Sequence, residues 1–143
     1  MTPNQAATAA FVNRLALGVM FLSHGLLKVF VFTLPGTAGF FESVGFPGWT
    51  AYPVTVAEIV GGAALILGVR TRIVAAALLP VLLGAAFVHW GNGWVFSAPN
   101  GGWEYPVFLA VSAAVQVLLG DGRFALAPEQ RPTASPHYAA EVA

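Results

Sequence analysis

Five ionisable residues, His24, Lys28, Glu58, His89 and Glu104, lie in or beside stretches that carry almost no other charge. In a membrane such a residue costs ~3 kcal/mol or more at a helix centre unless it is partnered, which makes it a suspect for binding or proton transfer. His24 and Lys28 are four residues apart and share one helix face. A carboxylate set between an imidazole and an ammonium relieves three desolvation costs together, and Glu58 on the next apolar stretch is the natural partner of both. Lys28 and His24 are donors for carbonyl oxygens, and Glu58 or His89 carries protons. This set fits the binding of a quinone or similar polar head group, as it would fit other polar small molecules. Axial haem ligation by His24 and His89 is a poorer fit, because the two differ in depth by several residues. Each residue also has a plainer role. Lys28 would reach for the interface, Glu104 would cap the helix it opens, His89 would bond to a loop, and Glu58 would form a structural ion pair.

Four apolar stretches must position these residues: 15–32, 53–69, 73–90 and 103–120. Each is 17 or 18 residues long, at the lower edge of what a helix needs to cross a hydrocarbon core of about 30 Å. They are continuously apolar rather than alternating, and backbone groups in lipid must be satisfied within the segment, so helices are expected. Pro106 falls in a first turn where a missing N–H costs little, whereas Pro80 is expected to kink its helix. Gly18 and Gly25, Gly61-Gly62-Ala63-Ala64, Ala75–Ala77 and Gly84-Ala85-Ala86 would let helix backbones approach closely. Ser112 and Gln116, four apart, are placed to hydrogen-bond between helices. The expected architecture is all-α, a four-helix transmembrane bundle over residues 1–126, with a disordered tail over 127–143 in which His137 is solvated.

Composition agrees. The 143 residues are 57% hydrophobic and 8% charged, with a mean hydropathy of +0.76. A soluble domain carries roughly 25% charged residues, so the charge needed to cover a small soluble surface is missing. A net charge of zero removes the electrostatic case for nucleic acid. There is no cysteine, which excludes a disulfide framework and cysteine-ligated clusters, and no metal site is expected. Any redox centre is therefore borrowed or non-covalent. Serine-protease, phosphate-loop and metalloprotease signatures are absent.

Loop charge sets the expected orientation. Arg14, Arg70, Arg72, Arg123 and Arg131 gather on one side and Lys28 stands alone toward the other, which places both termini in the cytoplasm. Trp49, Tyr52, Trp90, Trp94, Trp103 and Tyr105 mark the outer boundary. Residues 1–13 hold no Lys or Arg, so the first stretch reads as a retained helix rather than a signal peptide. The five ionisable residues then fall in the outer leaflet.

Several motifs resemble those of the DoxX family: His24-Gly25-Leu26-Leu27-Lys28, Gly45-Phe46-Pro47, Glu58-x-x-Gly61-Gly62, Leu67-Gly68-x-x-Thr71-Arg72, and Asn100-Gly101-Gly102-Trp103-Glu104-Tyr105. Gly120-x-Gly122-Arg123 resembles the family's closing segment, though Phe124-Ala125-Leu126 stands where members often continue with Ser-Leu-Asp. The resemblance implies a multi-pass protein of the bacterial inner membrane. Related members are similar to the small subunit of a thiosulfate:quinone oxidoreductase, and others associate with oxidative-stress and sulfur-transfer enzymes. It thereby favours a membrane subunit of a quinone-linked oxidoreductase or oxidative-stress assembly, not catalytic alone. The partner would be a redox subunit or soluble enzyme, and quinone the non-covalent cofactor. The alternatives are a non-catalytic scaffold or assembly factor and a transporter of small solutes or lipid.

Overall fold

The computed structural model describes residues 2–128; the remainder of the expected tail, with His137, lies outside the described residues. Among the described residues the fold is all-helical, a helical membrane bundle with α1 (Pro3–Phe30), α2 (Leu34–Ser43), α3 (Ala51–Leu67), α4 (Thr71–His89) and α5 (Glu104–Leu119). Short 3-10 turns at Gly48–Thr50 and Trp90–Asn92 lead into α3 and out of α4. Among the described residues three helical stretches are long and apolar enough to cross a membrane: Pro3–Phe30, Gly48–Leu67 and Thr71–Asn92. The helix at Glu104–Leu119 is apolar but shorter, at about 24 Å for 1.5 Å per residue. Only 28%, 33% and 22% of the three apolar windows are buried within the chain, so their outer faces need an apolar solvent.

Two elements depart from expectation. Helix α1 begins at Pro3 instead of near residue 15, because Thr2 and Gln5 form a capping box and proline occupies the first turn. The connection after α1, which lies outside the four apolar stretches, contains a further helix, α2. Thr33 caps it by accepting from the Gly36 N–H, and buried Thr37 donates to the Thr33 carbonyl. Two glycines and a proline disguise this helix in the sequence. Pro80 lies inside α4, which continues unbroken through it to His89.

Close packing is greatest between α1 and α3 and between α4 and α5; α3 also meets α4, and α1 meets α5. The tightest seam is built on glycine. A Cβ at Gly62 would lie 2.5 Å from the Leu22 backbone nitrogen, and one at Gly18 would lie 2.8 Å from the Gly62 carbonyl oxygen. Leu17, Phe21, Leu65, Leu78, Leu82 and Ala113 fill the core between the helices. The chain after α5 folds back across the arginine end: the Arg123 N–H donates to Ala7, Leu126 to Leu67, and Ala127 to Gly68.

Candidate functional site

At the opposite, aromatic end the glycine seam brings two charges together. Gly25 sits between His24 and Lys28 on α1, and a Cβ there would meet Ile59 and the Glu58 Cβ. With no side chain in the way, α3 closes on α1 and Lys28 Nζ donates to both carboxylate oxygens of Glu58, at 2.9 and 2.7 Å. The two side chains are 17% and 6% exposed. Taking two charges out of water costs several kcal/mol each, and the bidentate pair offsets much of that.

His24 does not join this pair. Its Nδ1 donates to the carbonyl of Met20 one turn back, at 2.9 Å, which leaves Nε2 as the second ring nitrogen. Its ring lies 6.2 Å from that of Tyr105 on α5. The expected three-way cluster is thus an ion pair with a separate, backbone-anchored histidine beside it. The reason is local: a histidine side chain reaches its own i−4 carbonyl without a partner helix having to approach.

His89 ends α4 and is tied to the loop, with Nδ1 3.0 Å from the Asn100 oxygen and 3.2 Å from that of Gly101. Glu104 opens α5 and accepts from the Phe96 N–H at 2.8 Å. Both organise the loop between α4 and α5, where Trp103 stacks on Trp90 at 4.6 Å and meets Trp94 edge-on at 4.5 Å.

Lys28, Glu58, His24 and His89 line one cavity of about 440 Å³. Its remaining wall is largely apolar and aromatic, with Phe21, Phe40, Phe41, Phe46 and Tyr105 prominent; Glu104 is not part of it. Size and lining suit a small organic ligand, which needs apolar walls and a few convergent polar groups. Four of the five residues singled out by sequence therefore face one space. Among the described residues no group of three or more His, Asp or Glu side chains is placed to hold a metal ion.

Sequence reasoning missed other polar residues. Asn13 donates to Gln116 at 2.8 Å and to the Ser112 carbonyl at 3.1 Å, while the Ser112 hydroxyl donates to Asn13 at 2.6 Å. Ser112 and Gln116 do bond between helices, and Asn13 is their partner. The stripe Asn13, Leu17, Met20, His24, Lys28 repeats at spacings of three and four, so Asn13 was legible as part of the polar face. Arg14, read only as a marker of orientation, is wholly buried. Its Nη2 donates to the Arg123 carbonyl at 3.0 Å, and among the described residues its Nε and Nη1 have no hydrogen-bond partner.

A helical bundle with apolar outer faces and a charged pair in the wall of a cavity defines a membrane protein that carries a ligand-sized, largely apolar pocket with a few polar groups. The DoxX family model matches residues 9–90, more than half of the chain, and the protein belongs to the DoxX family. A Bacillus subtilis (strain 168) protein named "Putative oxidoreductase CatD" is 38% identical over 72 residues, covering 50% of this chain and 52% of that protein. The chain thus spans about half the length of the curated relative it matches. No solved structure matches the chain.

Proposed function

We propose that this protein is the multi-pass membrane component of a quinone-linked oxidoreductase in the bacterial inner membrane, with the cavity at the aromatic end receiving a quinone head group in the outer leaflet. In this reading α5 completes four crossings, and the arginine end with both termini faces the cytoplasm, as its concentration of Arg70, Arg72 and Arg123 favours. The observation that carries the proposal is the bidentate Lys28–Glu58 pair set in the wall of an aromatic-lined cavity with His24 and His89 beside it. The oxidoreductase name of the CatD relative supports the reaction class.

Quinone reduction takes up two electrons and two protons. The electrons come from a partner redox subunit; this chain has no cysteine with which to form a thiol centre or ligate a cluster. Within the cavity Lys28 and the second ring nitrogen of His24 meet the head-group oxygens, and Glu58 and the histidines move protons. Phenylalanine rings offer faces against which a planar ring stacks.

The test is organic extraction and mass analysis of gently purified protein, followed by the Glu58→Gln variant. Wild type is expected to retain quinone and the variant to lose it while still folded. Equal occupancy in both would refute the assignment. A second reading, a non-catalytic scaffold, is favoured by the fact that both Glu58 oxygens are already held by Lys28. Capture of a soluble redox partner with no bound small molecule would support it instead.

A further inference from the structure

Two hollow regions of the molecule share a wall. The cavity at Lys28 and Glu58 and a longer groove of about 950 Å³ along the seam between α1 and α5 are both lined by Met20, Tyr105 and Leu109. Resting on the reading above, we propose that this seam takes the extended apolar tail of the ligand whose head group occupies the cavity, and that Met20 and Tyr105 form the opening between the two. The ligand class is an amphiphile with a planar polar head and a single linear hydrocarbon chain.

Continuity with the cavity is the first argument. His24 lies one turn beyond Met20 and Lys28 two, so a head group at the ion pair aims its substituent back along α1 toward Met20. From Met20 back to Ala9, α1 runs about 16 Å at 1.5 Å per residue, and the groove follows it. Val12 and Ala16 on α1 face Phe108 and Leu109 on α5 across it.

The seam is also built to stay open. The glycines of α1 are directed at α3, where Gly18 and Gly25 meet Ile66 and Ile59, and α1 packs far less extensively on α5. Asn4, Gln5 and Thr8 line the end of the groove away from the cavity, and between Ala9 and Met20 its polar residues Asn13 and Ser112 bond to each other, which leaves that stretch effectively apolar.

The partition itself is weak. The Tyr105 hydroxyl donates to Met20 Sδ at 3.0 Å, and a thioether is a poor acceptor. Methionine has three rotatable bonds, and Tyr105 is 40% exposed, so the pair swings aside without disturbing the core.

Lipid is as apolar as the groove, so the seam contributes by fit and orientation rather than by a hydrophobic gain. The readout is therefore where the tail lies. Full-length protein in phosphatidylethanolamine/phosphatidylglycerol nanodiscs is photolabelled with a benzoquinone that carries a diazirine midway along an alkyl chain. A phospholipid with the same diazirine on its acyl chain is the control. Quinone labelling is expected on the peptides containing residues 9–16 and 108–112, and an excess of chain-free benzoquinone should abolish it. Ala16→Phe, a change at an exposed position, should lose the tail label while chain-free benzoquinone still binds by calorimetry; Val12→Phe provides a second such variant. Labelling spread over the outer faces like the lipid control, or seam labelling that chain-free quinone does not displace, overturns the inference alone. If chain-free benzoquinone does not bind at all, the head-group reading fails and the tail site falls with it.

Discussion

The two ends of this molecule bury charge in opposite ways. At the aromatic end Lys28 and Glu58 satisfy one another and border the cavity. At the arginine end Arg14 is 0% exposed, and its guanidinium packs so closely against Gly68 that no side chain would fit there. Nη2 of Arg14 reaches the Arg123 carbonyl and Asp121 attracts the guanidinium, while Nε and Nη1 make no hydrogen bond among the described residues. A ligand has room beside the first group and none beside the second. Buried charge alone therefore does not mark a site; adjoining volume and satisfied partners do. The arginine end works as a clasp, where Gly68 turns left-handed at φ 72° and the segment after α5 lies across the ends of α1 and α3.

That contrast is open to direct attack, beginning where the effect is largest. Gly62→Leu would drive a side chain into the α1 backbone and separate α1 from α3, costing about 4 kcal/mol or more. No folded protein should be recovered, and the cavity should vanish with the seam that forms it. Next comes Glu58→Leu, which strands the Lys28 ammonium and should cost about 3 kcal/mol. Adding Lys28→Met should restore most of the lost thermal stability in detergent, because removing both charges is far cheaper than removing one. A double variant no more stable than the single would mean that the pair is not coupled as the 2.7 Å contact indicates.

Asn13→Leu tests a polar group between the two ends. It leaves the Ser112 hydroxyl without its acceptor and should lower stability by about 2 kcal/mol. The smallest effect is expected from Arg14→Met. Methionine roughly fills the aliphatic space and removes two nitrogens that make no hydrogen bond, which offsets the lost attraction to half-buried Asp121, so thermal stability should stay within about 1 kcal/mol of wild type. A loss as large as that of Glu58→Leu would erase the distinction between the ends.

Much of the fold was legible in advance. The apolar runs located α1, α3, α4 and α5, and the i,i+4 spacing of His24 and Lys28 with a carboxylate on the next helix indicated the ion pair. Helix α2 escaped because its stability comes from the Thr33 cap and from contacts of Thr37, not from helix-favouring residues. His24 was assigned to Glu58 because both lie at similar depth, but depth says nothing about which carbonyl lies nearest a freely rotating ring. His89 bonds to the α4–α5 loop as its plainer reading has it, whereas Glu104 does not cap α5 and instead accepts from the Phe96 N–H of that loop.

Sequence alone determined that the protein is helical and made for lipid, because apolar run length and missing charge are properties of each segment taken by itself. It also supplied the residues from which a polar pocket could be made. Only the tertiary structure decided which of them meet, since each residue turns 100° about its helix axis and a cross-helix contact depends on how two such axes are rotated. That rotation turned Gly25 toward Glu58, sealed Arg14 against Gly68, and left Met20 and Tyr105 between the cavity and the seam.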